Sequence, residues 1–214
     1  MNYIKRNLEN VVNQAAKEYP VVLVTGPRQV GKTTMLQKLM EGTDREYVTL
    51  DDLNERSIAK NDPELFLQLH KPPVLVDEVQ YAPELFSYIK MYVDKNHEPG
   101  SFWLTGSQVF KLMRGVQESL AGRVAVLSLT SLSQAEICGG NMEPFTIDME
   151  SLAARKHERE ETDTRGIFER IYRGSMPAIV SGANSNPQIF YSSYLTTYIE
   201  RDVKELSDAI DSLK

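Results

Sequence analysis

The stretch VVLVTGPRQVGKTT, residues 21–34, decides the fold of this chain. It opens with an apolar run, passes through the pattern G-x-x-x-x-G-K-[ST], and leads into a segment with apolar residues at helical spacing. Gly26 and Gly31 let the backbone turn tightly, so that successive N–H groups point inward at a helix N-terminus and can bind phosphate oxygens. The stretch therefore predicts a strand, a phosphate-binding loop and a helix rather than an ordinary glycine-rich turn.

Two side chains of this loop can bind the phosphates and a metal ion. The Lys32 ammonium is a compact positive charge that can reach the β- and γ-phosphates of a nucleoside triphosphate, and the Thr33 hydroxyl is a hard oxygen ligand for Mg²⁺. We therefore predict ATP and Mg²⁺ as ligands. The residues expected to contact the nucleotide are Gly26, Pro27, Arg28, Gln29, Val30, Gly31, Lys32, Thr33 and Thr34.

A second motif, PPVLVDEVQ at residues 72–80, ends an apolar run in two carboxylates. Asp77 is predicted to hold Mg²⁺, directly or through water, and Glu78 to polarise a water for in-line attack on the γ-phosphorus. An aspartate after an apolar strand is often only a helix cap or a turn residue. Its pairing with the phosphate-binding loop favours the metal role, because ligands bind at the carboxyl ends of strands in open α/β sheets.

The same motif separates classes of nucleotide-binding protein. GTPases usually have a glycine three residues after the aspartate, but this chain has Gln80 there, and it contains no N-K-x-D guanine-binding motif. An arginine-rich lid of the kind that small-molecule kinases use is not evident in the sequence. The sequence therefore favours ATP hydrolysis over a GTP switch or a kinase-like transfer.

The rest of the chain indicates an α/β fold. Helical patterns alternate with five β-branched-rich runs, at residues 21–24, 47–50, 74–76, 102–104 and 124–129. Their nearly continuous apolar character suits strands covered on both faces, so we predict a three-layer sandwich with a parallel sheet. The predicted organisation is a core at residues 1–135, a connection and small helical region at 136–190, and a terminal helix at 191–214. That helix has an apolar stripe that packs either against the chain's own helices or against a surface outside these residues; its members are Tyr191, Tyr194, Leu195, Tyr198, Val203 and Leu206.

The fourth apolar run, within SFWLTGSQ at residues 101–108, ends in polar side chains. If its strand lies between those of the two motifs, Thr105, Ser107 or Gln108 could orient the attacking water and report hydrolysis; an ordinary turn is the alternative. Arg123, just before the fifth run, could stabilise the charge of the γ-phosphate, in cis or across an oligomer interface. A surface arginine paired with a carboxylate is the alternative for that residue.

Composition narrows the choice of partners and compartment. The formal net charge of −6 disfavours general affinity for nucleic acid or anionic membranes, so DNA stays a partner that the charge does not indicate. No signal-peptide pattern is visible at the N-terminus and no apolar run is long enough to span a bilayer, so we expect a cytoplasmic protein without membrane contact. The single cysteine, Cys138, excludes an internal disulfide framework.

These residues resemble the prokaryotic AAA-type ATP-binding proteins, which pair an N-terminal ATPase domain with a C-terminal domain of unknown function. The segments that carry the resemblance are GPRQVGKTT, EYVTLDDL (46–53), DPELFL (62–67), VLVDEVQ, WLTGSQ, ESLAGRV and YLTTYIERDV (194–203). The resemblance implies an AAA+-like core with strand order 5-1-4-3-2. It also implies that ATP is bound by Gly26, Gly31, Lys32, Thr33, Asp77 and Glu78. By the same resemblance, Ser107 or Thr105 would act as the sensor, and Arg123 would take the position of an arginine finger.

The resemblance also implies a partner for the terminal helix. In such families the chain normally continues well beyond the YLTTYIERDV segment, so we expect a C-terminal domain or a protein partner there, and an oligomer is possible. The arginine that usually serves as a second sensor in AAA+ proteins is not evident after residue 135. Coupling within a ring is therefore not predicted by this sequence.

Two functions of different classes follow. The first is a Mg²⁺-dependent ATPase, slow without a partner, whose hydrolysis drives a conformational change in an attached or partner domain. The second is an ATP-gated interaction module that binds ATP tightly with negligible turnover. A P-loop kinase-like transferase is a third and weaker alternative.

Overall fold

The computed structural model describes residues 3–107, 112, 115–116, 118–140, 147–156 and 163–199. Gln108, one of the three predicted sensor residues, lies outside the described residues, as does the part of the predicted terminal helix after residue 199. The statements that follow concern the described part of the chain.

Five strands form one parallel sheet. Their bounds are Val21–Thr25 (β1), Glu46–Thr49 (β2), Val74–Asp77 (β3), Phe102–Gly106 (β4) and Val124–Ser128 (β5). The strands lie in the order β2-β3-β4-β1-β5, and every pair of neighbours is parallel. Read from the other edge, this is the order 5-1-4-3-2, so the predicted fold class is confirmed.

Helices connect and flank these strands. Their bounds are Leu8–Glu18 (α1), Lys32–Met40 (α2), Leu53–Asn61 (α3), Pro63–Leu69 (α4), Leu85–Asn96 (α5), Gln134–Ile137 (α6), Met149–Lys156 (α7), Thr164–Arg173 (α8), Pro177–Val180 (α9) and Pro187–Tyr194 (α10). A 3₁₀ turn at Val79–Tyr81 follows β3, and a π-helical turn at Leu195–Ile199 continues α10.

Both faces of the sheet are covered. On one face, alternate residues of β1, β3 and β4 pack with α3, α4 and α5 in one buried cluster. The intervening residues, such as Val22, Val24 and Leu75, are buried as well, and α1 contacts β1. Because the central strands need apolar side chains on both faces, their sequences do not alternate between apolar and polar residues.

The edge strand β2 is tied to α3 and α4 by a histidine. His70, directly after α4, has Nδ1 2.7 Å from Glu46 Oε1 and Nε2 2.8 Å from Glu55 Oε2. Burial alone would lower the pKa of His70, but the hydrogen bonds to the two carboxylates outweigh burial, and the pKa is raised above its usual value. A protonated His70 donates to both carboxylates and so fixes the start of β2, where Tyr47 follows.

Two compact units divide the chain. One comprises Leu8–Ser131 and contains the whole sheet with α1 to α5, and the other combines Met1–Asn7 with Leu132–Lys214. This division differs from the predicted core at residues 1–135 because it places the first seven residues with the second unit. The predicted boundaries after residues 135 and 190 stay predictions.

A buried ion pair joins the two segments of the second unit. Arg6 Nε lies 3.2 Å from Glu136 Oε1, and the Asn7 N–H donates to the same oxygen at 2.7 Å. The Ser133 N–H donates to Glu136 Oε2 at 2.8 Å and completes a capping box for α6. These donors satisfy a buried carboxylate, which explains why residues 3–7 belong with the segment after Ser131.

Helix α10 begins at Pro187. Asn186 caps it, and a proline suits the first helical turn. One member of the predicted apolar stripe has a partner within its own unit, since the Tyr191 hydroxyl donates to the Arg173 carbonyl at 3.0 Å. In the part of the chain that the structure describes, no helix combines the length and apolar character that crossing a membrane requires.

Gly26, directly after β1, lies close to the segment that follows β5. Its φ is +140°, which favours glycine, and a Cβ on residue 26 would overlap the carbonyl oxygen of Leu129. The Leu129 N–H donates to the Thr25 carbonyl at 2.9 Å, which holds the segment after β5 against the end of β1. A residue without a side chain is therefore needed at the start of the loop.

We expect Gly26→Ala to lower the free energy of unfolding by at least about 3 kcal/mol, because the new Cβ meets backbone atoms that cannot rotate away. Gly42→Ala is the matched control. Gly42 also has a positive φ, +77°, but its Cβ position has no neighbour within 4 Å, so only a conformational cost of roughly 1–2 kcal/mol applies. Chemical denaturation of the two variants and the wild type measures the difference. Equal losses would mean that Gly26 is needed for its φ angle alone.

Candidate functional site

The candidate site lies at the carboxyl-end edge of the sheet. β4 lies between β1 and β3, as predicted, so the residues that follow these three strands meet there. The phosphate-binding loop follows β1, Asp77 ends β3, and Gly106 ends β4. The structure therefore brings together the two motifs and the polar end of the fourth strand.

The loop after β1 presents the N-terminus of α2. Gly31, with φ +93°, directly precedes this helix, and no side chain caps its first turn. Uncapped N–H groups at a helix N-terminus suit an anion. The predicted contact residues differ in exposure: Gly26, Val30 and Lys32 are buried, Arg28, Gly31 and Thr33 are half-buried, and Pro27, Gln29 and Thr34 are exposed.

Lys32 lies inside the loop. It is 5% exposed, and its Nζ donates to the carbonyl oxygens of Gly26 at 3.0 Å and Pro27 at 2.9 Å. Burial lowers the pKa of Lys32, whereas the negative charges of Glu78 and Asp77 act in the opposite direction. The ammonium is thus held by neutral acceptors, which charged phosphate oxygens can replace with a gain in strength.

Asp77 is a buried carboxylate with hydrogen-bond donors on both oxygens. Thr33 Oγ1 donates to Oδ1 at 2.7 Å, Thr105 Oγ1 donates to the same oxygen, and Tyr47 OH donates to Oδ2 at 3.3 Å. Burial raises the pKa of Tyr47, and the charge of Asp77 raises it further. The sequence did not predict Tyr47 as a site residue, because an aromatic residue in a strand usually indicates packing.

The oxygen ligands at this point suit Mg²⁺. The Thr33 hydroxyl and the Asp77 carboxylate place hard oxygen atoms 2.7 Å apart, and Mg²⁺ usually takes one or two protein ligands and completes its shell with water and phosphate oxygens. Among the described residues, no group of three or more His, Cys, Asp or Glu side chains is placed to hold a metal ion. The residues present therefore fit a magnesium ion shared with a bound phosphate.

Glu78 is held at both its backbone and its carboxylate. Its φ is +56°, its N–H donates to Thr105 Oγ1 at 3.2 Å, and its Oε2 accepts hydrogen bonds from Ser107 Oγ at 3.3 Å and from the Gln80 amide. Two of the predicted sensor residues therefore lie at the site with different contacts. Thr105 links Asp77 to the Glu78 backbone, and Ser107 contacts the Glu78 carboxylate.

Gln80 is a further residue of the site. In the sequence it served only to argue against a GTPase, but its side chain is buried and its Nε2 donates to Glu78 Oε2. The contact depends on the left-handed conformation of Glu78 and on the 3₁₀ turn that follows. Neither of these is visible in a strand-like run of residues, so no sequence signal marks Gln80 as functional.

The structure does not bring Arg123 to this site within its own chain. Arg123 directly precedes β5, and its carbonyl accepts the N–H of Val21, the first residue of β1, at 3.3 Å. It therefore lies at the amino-end edge of the sheet, separated from the loop by the length of β1, about 15 Å. Its guanidinium donates to Asp94, with Nη2 3.0 Å from Oδ2.

Comparison with known proteins places this arrangement in a family. Residues 18–138, more than half of the chain, match the AAA domain family. Residues 164–214 match a domain of unknown function, DUF8612.

The chain is also similar to curated proteins from mycobacteria. It is 30% identical over 205 residues to the uncharacterized proteins Rv2008c of Mycobacterium tuberculosis and Mb2031c of Mycobacterium bovis. These matches cover 94% of this chain but 40% of each relative. The chain therefore spans about two fifths of the length of these relatives.

Solved structures share the fold. The Walker-type ATPase PABY2304 of Pyrococcus abyssi has a TM-score of 0.56 at 15% identity, covering 98% of this chain and 76% of that one. AMPPCP-bound DnaA of Aquifex aeolicus has a TM-score of 0.51 at 16% identity, covering 94% and 67% respectively. At these identities the likeness concerns the fold alone.

The family match covers the whole of the sheet, and the observed strand order is that of the AAA+ arrangement. The loop after β1 also has the sequence and position of a P-loop. The chain belongs to the AAA domain family, and its P-loop ATPase fold supports ATP binding.

Proposed function

We propose that this chain binds ATP with Mg²⁺ and hydrolyses it, and that hydrolysis drives a conformational change in an attached or partner domain. The observation that carries the proposal is the convergence of Lys32, the Thr33–Asp77 pair and the Glu78 carboxylate at one edge of the sheet. A cation for the phosphates, oxygen ligands for a metal and a base for water are what phosphoryl transfer to water requires.

Each residue has a separate task in this proposal. Backbone N–H groups of residues 26–33 bind the phosphates, and Lys32 exchanges its carbonyl acceptors for phosphate oxygens. Thr33 and Asp77 would hold Mg²⁺, which supplies positive charge to the β- and γ-phosphate oxygens. Glu78 orients the attacking water and accepts its proton. Thr105 and Ser107, the predicted sensors, keep these carboxylates in place.

A partner belongs to the same proposal. The second unit carries the DUF8612 match, and its helix α8 exposes four large apolar side chains, Ile167, Phe168, Ile171 and Tyr172. An exposed apolar face of this kind suits a protein or domain partner rather than DNA, which the net charge of −6 does not favour. We expect the cycle to operate in the cytoplasm.

A second candidate is an ATP-gated interaction module with negligible turnover. The position of Arg123 favours it, because the predicted finger arginine is not supplied to the site by the same chain. Without such an arginine, P-loop proteins hydrolyse their nucleotide slowly. A kinase-like transferase has no comparable observation in its favour.

We expect Lys32→Ala to abolish ATP binding or weaken it severely, because the phosphates lose their buried cation. Lys38→Ala, on the same helix but half-exposed, is the matched control and should bind ATP normally.

Glu78→Gln should keep ATP affinity and lower phosphate release by about 100-fold or more, since the amide cannot accept a proton. Glu84→Gln, an exposed site nearby, is its control.

Calorimetric titration with ATP and a phosphate-release assay measure both properties. Normal ATP affinity in Lys32→Ala would contradict the nucleotide site. Turnover unaffected by Glu78→Gln would show that the base is assigned wrongly. Tight ATP binding with almost no turnover in the wild type would favour the gated module.

Arg123 can serve this reaction only across a contact between two copies, and a mixing experiment tests that role. Arg123→Ala keeps the nucleotide site, and Glu78→Gln keeps the arginine, so each variant alone should release little phosphate. An equimolar mixture should regain part of the wild-type rate, because some interfaces then combine an intact site with an intact Arg123. Full activity of Arg123→Ala alone, or no recovery on mixing, would contradict a role in trans.

A further inference from the structure

We propose that Gln80 is a positioning residue that fixes the carboxylate of Glu78 in the orientation a base requires. The inference rests on the proposed ATP hydrolysis and adds the residue that determines where the base lies. Gln80 belongs to the 3₁₀ turn Val79–Tyr81, directly after β3, and is 7% exposed.

The contact between the two side chains uses one oxygen of the carboxylate. Gln80 Nε2 and Ser107 Oγ both donate to Glu78 Oε2, the serine at 3.3 Å. Among the described residues, both donors bind Oε2, which leaves the second oxygen, Oε1, to accept a proton from water. A carboxylate held through a single oxygen by two donors keeps one orientation, and proton transfer depends on such alignment.

The backbone brings Gln80 back onto Glu78. Residues two apart in a helix do not face each other, but Glu78 has φ +56°, a conformation that L-residues rarely adopt. This conformation is fixed from both sides: the Glu78 N–H donates to Thr105 Oγ1 at 3.2 Å, and the Glu78 carbonyl accepts the Tyr81 N–H at 3.1 Å. Backbone strain of this kind is typical of functional sites.

Gly106 provides the space for the Gln80 amide. A Cβ on residue 106 would overlap Gln80 Oε1 and the Leu112 side chain. Oε1 is buried without a hydrogen-bond partner among the described residues, which is unfavourable for a carbonyl oxygen. Packing alone would therefore favour an apolar side chain at position 80. A glutamine is accommodated there rather than an apolar residue because its amide N–H donates a hydrogen bond to the Glu78 carboxylate.

Two substitutions at position 80 test the inference. Gln80→Ala removes the donor, and Gln80→Glu keeps the size of the side chain but places a second carboxylate against Glu78. Both should lower kcat about 10- to 100-fold while the KM for ATP stays within about twofold, because only the orientation of the base changes. Gln37→Ala, an exposed glutamine on α2, is the control and should leave both constants unchanged. Wild-type kcat in Gln80→Glu would overturn the inference.

A double variant separates positioning from a general structural role. If Gln80 acts through Glu78, then Gln80→Ala should cause no further loss of kcat in the Glu78→Gln background. If the loss of kcat in the double variant equals the product of the losses in the two single variants, Gln80 acts on something other than Glu78, and this result would overturn the inference. A rise in kcat in Gln80→Ala would do so too, because the glutamine would then restrain the base rather than position it.

Crystal structures of the wild type and of Gln80→Ala distinguish failure of this inference from failure of the proposed function. If the wild type has no turnover that depends on Glu78, the proposed hydrolysis is wrong. The position of the Glu78 carboxylate then still decides the inference. In Gln80→Ala the Glu78 carboxylate should move away from Ser107 Oγ. A carboxylate in the same position in both structures would overturn the positioning role.

Discussion

The buried carboxylate of Asp77 is the constraint on which the rest of the site depends. A charged group out of water must be fully hydrogen-bonded, and Asp77 obtains its donors from three separate elements. Thr33 comes from the first turn of α2, Thr105 from β4 and Tyr47 from β2. Satisfying one charge therefore ties β2, β3 and β4 to the helix that follows the loop. An incoming metal ion would meet a pair of oxygen atoms whose positions are already determined.

The same constraint extends to Glu78 through a single hydroxyl. Thr105 Oγ1 donates to Asp77 and accepts the Glu78 N–H, so the proposed metal ligand and the proposed base are aligned by one fully buried side chain. Ser107 and Gln80 then act on the carboxylate of Glu78, further along the same edge. In this arrangement β4 aligns its neighbours, because Thr105 contacts both Asp77 and the Glu78 backbone. Its insertion between β1 and β3 is what makes these contacts possible.

Most of the fold and the centre of the site follow from sequence patterns, because each is specified by a few adjacent residues. The loop needs Gly26 and Gly31, and the continuous apolar runs specify buried parallel strands. The Gln80–Glu78 contact could not be predicted, since it depends on a left-handed φ that a strand-like run conceals. The position of Arg123 could have been predicted more closely. Strands β1 and β5 are parallel neighbours. Arg123 precedes β5, whereas the loop follows β1, so the two lie at opposite edges of the sheet. Placing β5 beside β1 therefore excludes a role for Arg123 at the site of its own chain.

A crystal structure of this chain with Mg²⁺ and a non-hydrolysable ATP analogue tests the proposed site most directly. Lys32 Nζ should leave the carbonyl oxygens of Gly26 and Pro27 and contact a phosphate oxygen of the analogue. Mg²⁺ should lie beside Thr33 Oγ1 and the Asp77 carboxylate. A nucleotide bound elsewhere, or Lys32 still on the two carbonyl oxygens at saturating analogue, would contradict the central claim that this edge of the sheet is the Mg²⁺-ATP site.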